Sequence, residues 1–138
     1  MMLVSILLMA CGQTSNAETT KESSKQVKNP VEVIYFHGKQ RCATCSAIEQ
    51  CTKDVLDEQF AKQVKAGKVV LRVIDISQKE NKAIAEKYEV TWSSLFVVTH
   101  KDGKENAENL TEFAFGNARS NPDKFKTGLQ ERITKALK

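Results

Sequence analysis

The apolar positions of this chain change their spacing block by block, and each block implies an element. Val31 to Phe36 is a β-rich run bounded by Pro30 and by a loop containing Gly38, which predicts a strand. From Cys42 to about Lys65 the spacing turns helical. Ile48, Cys51 and Val55 fall three and four residues apart, the row resumes at Phe60 and Val64, and Gly67 ends it. Val69 to Ile76 is a nearly continuous apolar run, the pattern of a strand buried on both faces. Asn81 to Tyr88 predicts a short helix with Ile84, Ala85 and Tyr88 turned inward. Leu95 to Thr99 is a third strand followed by a tight turn at Asp102-Gly103, and Glu112 to Phe115 reads as a fourth. Asn121 then caps a final helix with Pro122 at its first position, and Phe125, Leu129, Ile133 and Leu137 run along one face.

The order is strand, helix, strand, helix, strand, strand, helix. A βαβ start followed by a hairpin and a closing helix implies an α/β fold, a mixed central sheet with helices on both faces. A length of 138 residues suits one domain with a short appendage, and no internal repeat is visible.

The appendage lies in front. Met1 to Ala10 is almost wholly apolar, too short to span a bilayer but of the length of a signal-peptide core, although no Lys or Arg precedes it. It ends in Leu8-Met9-Ala10-Cys11-Gly12, which resembles the lipobox of bacterial lipoproteins. That resemblance implies cleavage before Cys11, a lipid on Cys11, and an extracytoplasmic chain held at a membrane, on the periplasmic side. Gln13 to Lys28 is rich in Ser, Thr, Glu, Lys and Asn, and holds no Val, Ile, Leu or aromatic residue except Val27. Such a composition cannot bury enough apolar surface to offset its ordering entropy, so it reads as a tether. The expected organisation is a signal peptide at 1–10, a tether at 11–28 and a domain at 29–138.

Charge changes the picture little. The formal balance is +4, and the lysines are scattered along the chain with no basic stripe interleaved with aromatics. Nucleic acid is therefore not an expected partner, and the charges read as a solvated surface.

The chemistry is carried by Cys42-Ala43-Thr44-Cys45, placed directly after the first strand and at the opening of the first helix. Unpaired backbone N–H groups and the helix dipole favour negative charge there, so a Cys42 thiolate is stabilised. Lys39, Arg41 and His37 add positive charge nearby, although a loop histidine such as His37 can equally make only a local hydrogen bond. Cys45, one turn on, is expected to be more covered and to resolve the mixed disulfide that Cys42 forms. A structural disulfide or half of a zinc site are the competing readings of the pair. Cys51 lies on the apolar row, nine residues from Cys42 and so on the opposite side of the helix, and reads as a buried thiol. A four-ligand site of His37, Cys42, Cys45 and Cys51 is disfavoured by the same geometry, and no metal is assigned. His100, at a strand end beside a turn, reads as a surface residue.

Strand, loop, C-x-x-C and helix, then the βαββα remainder, resemble the thioredoxin fold across residues 31 to 138. Glu86-Lys87-Tyr88-Glu89-Val90 is similar to the helix leading into that fold's active-site loop, and Phe115-Gly116 to its end. The string Tyr35 to Cys45 and the later Thr91-Trp92-Ser93-Ser94-Leu95 resemble a narrower group, the nitrophenyl compound nitroreductase subunit ArsF family associated with arsenic resistance. Trp92 reads as core packing or as part of a partner-binding rim, and the resemblance, which puts it in the loop facing Cys42, favours the rim; it puts Ser94 where thioredoxins carry a cis-proline. It places Tyr35 where they bury a proton-accepting acid. Both departures imply a specialised rather than a general thioredoxin. The expected function is thiol–disulfide exchange with protein partners by a monomer that needs no cofactor. The alternatives are a metal- or metalloid-binding thiol module, in arsenic or copper handling, and a redox-inert binding domain of the same fold.

Overall fold

A computed structural model describes residues 27–138. The proposed signal peptide, Cys11 and all but Val27 and Lys28 of the proposed tether lie outside them. Strand β1 (Val31–His37) is central, and the sheet runs in the order β2 (Val69–Asp75), β1, β3 (Ser94–Lys101), β4 (Lys104–Asn109). β1 is parallel to β2, with Val31 beside Val69, and antiparallel to β3, with Phe36 beside Ser94. β3 and β4 form an antiparallel hairpin around Asp102 and Gly103, both at positive φ (53° and 74°), the conformation a two-residue turn demands.

Alternation along β1 assigns the two faces. Val31, Val33 and Tyr35 enter the larger core with Ile48, Val55, Phe125, Leu129 and Ile133, contributed by helices α1 (Ala43–Gln59) and α5 (Pro122–Ala136). Ile34 and Phe36 enter a smaller core with Ile74, Phe96 and Val98. That face is covered by Ile84 and Tyr88 of the segment around α3 (Lys82–Lys87), which follows a short 3₁₀ turn. A mixed sheet with helices on both faces is thus present.

Four local expectations change. The first helix does not run on to Lys65: it ends at Gln59, Phe60 turns inward, and a separate α2 spans Ala61–Lys65. β2 is an edge strand rather than one buried on both faces, so Val73 is 39% exposed. The fourth strand is Lys104–Asn109, and Glu112–Phe115 lies inside a helix, α4 (Thr111–Asn117). Leu110, Ala114 and Ala118 are all buried at a four-residue spacing, a helical row that outweighs the local β-propensity of the two phenylalanines. β4 shows no alternation because all six of its residues are exposed. His100 is not a plain surface residue: it is half-buried, and its Nε2 lies 2.9 Å from Glu32 Oε2 across the sheet.

Candidate functional site

The loop leaving β1 delivers Cys42 to the N-cap of α1 in extended conformation (φ −77°, ψ 165°). Its Sγ accepts a hydrogen bond from the Cys45 backbone N–H at 3.2 Å, as a serine or aspartate cap oxygen would. No acidic residue occupies the first turn to oppose the positive end of the helix dipole. Cys42 is exposed, whereas Cys45 is 6% exposed. The two sulfurs lie at disulfide distance, with Cα atoms 5.1 Å apart. The sulfur of an exposed residue is thus held at the one place on the helix where a thiolate is favoured, with its covered partner a turn behind.

Tyr35 supports this turn from beneath. The ring is fully buried, and its hydroxyl donates to the Cys45 carbonyl at 2.8 Å, tying α1 to β1. Where the family resemblance expects a proton-accepting acid, this chain therefore carries a backbone anchor. Arg41 lies 6.0 Å from the Tyr35 ring centroid and is ion-paired with Glu49. Glu49 also receives Lys53 Nζ at 2.6 Å, so much of the expected positive charge of Arg41 is answered by a carboxylate. Sequence reasoning missed Glu49. Its four-residue step to Lys53 was visible, but the approach of Arg41 required the loop to fold over α1. His37 is half-buried, and its Nδ1 donates to the Gly38 carbonyl at 3.0 Å, the local bond weighed against a role in thiolate tuning. Lys39 is exposed on the same loop.

Because Phe36 pairs with Ser94, the segment before β3 emerges at the same end of the sheet as the cysteine loop. Ser94 is buried, and its hydroxyl donates back to the Trp92 carbonyl at 3.1 Å, closing this segment with a side chain where the resemblance expects proline. Glu89, just upstream, adopts a left-handed conformation (φ 54°). Trp92 is 60% exposed and stacks on Phe115 of α4, with ring centroids 5.2 Å apart. The sequence pattern predicts a strand at Phe115, and only its place in α4 makes it the partner of Trp92. A shallow cleft lined by Tyr88, Val90, Trp92, Ser94 and Thr111 runs alongside.

Cys51 stays apart. It is 8% exposed and its Sγ reaches the Ala118 carbonyl at 3.8 Å. Burial pushes its pKa up, which makes it a poor nucleophile. Among the described residues no three His, Cys, Asp or Glu side chains gather as a metal site.

No family model and no curated protein matches the chain. Solved structures do. A thioredoxin from Thermus thermophilus is similar at 16% identity and a TM-score of 0.50, over 78% of this chain and 76% of its own. An uncharacterised thioredoxin-like protein from Clostridium perfringens is similar at 14% identity and a TM-score of 0.51, over 89% of this chain and 93% of its own. The fold of this protein is thioredoxin-like, with a C-x-x-C pair at disulfide distance heading its first long helix.

Proposed function

We propose that this protein is a thiol–disulfide oxidoreductase with Cys42 as nucleophile and Cys45 as resolving thiol, acting on protein partners outside the cytoplasm. The observation that carries this reading is the Cys45 N–H aimed at the sulfur of Cys42, an exposed residue, at the helix cap. In the reducing direction the Cys42 thiolate attacks one sulfur of a partner disulfide and releases the other as a thiolate. Cys45 then gives up its proton and attacks Cys42 Sγ, which forms the intramolecular disulfide and frees the second partner sulfur. Two electrons pass to the partner, and the reverse sequence oxidises it. Trp92 and the neighbouring cleft form the rim on which the partner docks, and the anchor is a lipid on Cys11. The strings at Tyr35–Cys45 and Thr91–Leu95 favour the narrower arsenic-associated group as the setting.

The test is a redox titration of the full chain in glutathione buffers, with thiol trapping and mass spectrometry. A two-electron transition confined to Cys42 and Cys45, with Cys51 reduced throughout, is expected. A pair that never cycles, or that is isolated with stoichiometric metal, overturns the reading in favour of a thiol-based binding module. Palmitate labelling of cells checks the anchor separately: Cys11→Ser abolishes incorporation if the lipid is there.

A further inference from the structure

Five lysines from three separate stretches of the sequence meet at the end of the sheet opposite Cys42. Two adjoining clefts share Thr99, Lys101 and Ala136. One of them adds Lys68, Lys138 and His100, and the other adds Lys104 and Lys135. Among the described residues the only carboxylate side chain lining either cleft is Glu108, which is engaged by Arg132 Nε at 3.2 Å. All five lysines are exposed, and among the described residues none has a carboxylate within 4.0 Å. Lys53, Lys82, Lys87 and Lys126, elsewhere on the surface, each pair with one, whereas Lys39, Lys62, Lys65, Lys79 and Lys124 do not among the described residues, so what marks these five is that they gather around two adjoining clefts. Among the described residues no Phe, Tyr or Trp lines the clefts; their apolar lining is aliphatic, including Val27, Val31, Val97 and Leu137. Without stacking platforms, such a surface suits fixed anionic charge better than bases.

The second observation is where the chain enters. Val27, the first described residue, lines the first cleft, so the preceding sequence joins the domain at this basic end. Cys11 is sixteen residues upstream, and this length of chain spans at most about 55 Å. β1 runs from Val31 at this end to His37 beside the cysteine loop, a separation of about 20 Å at strand rise.

We infer that the basic end docks on an anionic lipid surface, with Lys68, Lys101, Lys104, Lys135 and Lys138 facing phosphodiester headgroups. This inference rests on the proposed anchor at Cys11 for its biological setting. Seated in this way, the domain directs Cys42 and the Trp92 rim away from the bilayer, toward partners. Each lysine near an anionic membrane surface strengthens binding about fivefold, and the attraction fades as salt shortens the screening length.

The test uses full chain carrying Cys11→Ser, so that no lipid is attached, with mixed phosphatidylglycerol–phosphatidylcholine vesicles and pure phosphatidylcholine vesicles. Binding to the neutral vesicles reads any apolar contribution of residues 1–10 and serves as baseline. A preference for the anionic vesicles of at least about tenfold, lost at high salt, is expected. Lys68→Glu with Lys101→Glu should remove most of it, and Lys68→Gln with Lys101→Gln part of it, with unchanged circular dichroism. Lys79→Glu with Lys82→Glu, the same charge change elsewhere, should keep it. Equal binding to both vesicles, an equal loss in the control variant, or equal affinity for a single-stranded oligonucleotide overturns the inference. Absent palmitate labelling with the vesicle preference intact defeats the anchor reading alone. Labelling without the preference defeats the docking surface alone.

Discussion

The first turn of α1 and its third turn hold sulfur under opposite conditions. At the first turn, Cys42 faces solvent, and a backbone N–H is directed at its sulfur. At the third turn, Cys51 is packed within the core that holds Phe125 and Leu129, and among the described residues its one hydrogen-bond partner is the Ala118 carbonyl, an acceptor that favours the protonated thiol. Its neighbour Thr52 is fully buried, and its hydroxyl has no partner among the described residues. One helix thus separates a thiol suited to exchange from one suited to packing. The difference lies in which backbone groups remain unpaired: N–H donors at the helix start, none in its interior.

This contrast can be broken or sharpened by substitution. The largest effect is expected from Cys42→Ser, which should abolish reduction of a protein disulfide such as insulin. Cys45→Ser should instead accumulate a mixed disulfide visible on a non-reducing gel. Cys51→Ala should leave turnover unchanged, and a matching loss there would erase the distinction between the two turns. Next comes Phe125→Ala, which opens a cavity in the core around the third turn and should cost about 3–5 kcal/mol in denaturant unfolding. Smaller and opposite effects are expected from two hydroxyl deletions. Tyr35→Phe removes the bond to the Cys45 carbonyl and should cost about 1 kcal/mol, whereas Thr52→Val removes an unpartnered buried hydroxyl and should gain about as much. Both are read from denaturation midpoints, and a stabilising Tyr35→Phe would mean that the tether to the first turn contributes nothing.

The smallest expected effect is alkaline. Burial raises the Cys51 pKa in the folded state, so the unfolded chain releases that proton first as pH climbs. Its contribution to stability is complete below the unfolded thiol value of about 8.5 and is lost as pH rises through the folded value. Cys51→Ala should flatten stability over that range, and an unchanged alkaline slope would place the titrating group elsewhere.

Much of this arrangement was legible in the residues. The place of C-x-x-C after a β-rich run put the cysteine pair at the opening of the first long helix, and nine residues at helical rotation put Cys51 on the far side. Asn121 and Pro122 marked the last helix, whose cap hydrogen bond runs from Lys124 N–H to Asn121 Oδ1 at 3.2 Å. Reading stopped where burial depends on sheet position. The apolar run at Val69–Ile76 is compatible with a central or an edge strand, and only the pairing order decides. KENAEN at β4 carries no periodicity, because an edge strand with both faces toward water needs none.

By itself the sequence determined the order of most elements, the α/β class and the pair of sulfurs that the helix start would favour, because these depend on local period, caps and spacing. Tertiary structure alone decided the rest. The Tyr35 hydroxyl meets the Cys45 carbonyl, Arg41 meets Glu49, and Ser94 turns back on Trp92, through contacts a few ångströms long that depend on how loops cross the sheet end. The lysines look scattered along the chain, yet the starts of β2 and β4 and the ends of β3 and α5 bring five of them together. Charge density belongs to a surface, and a surface exists only once the strands have been set side by side.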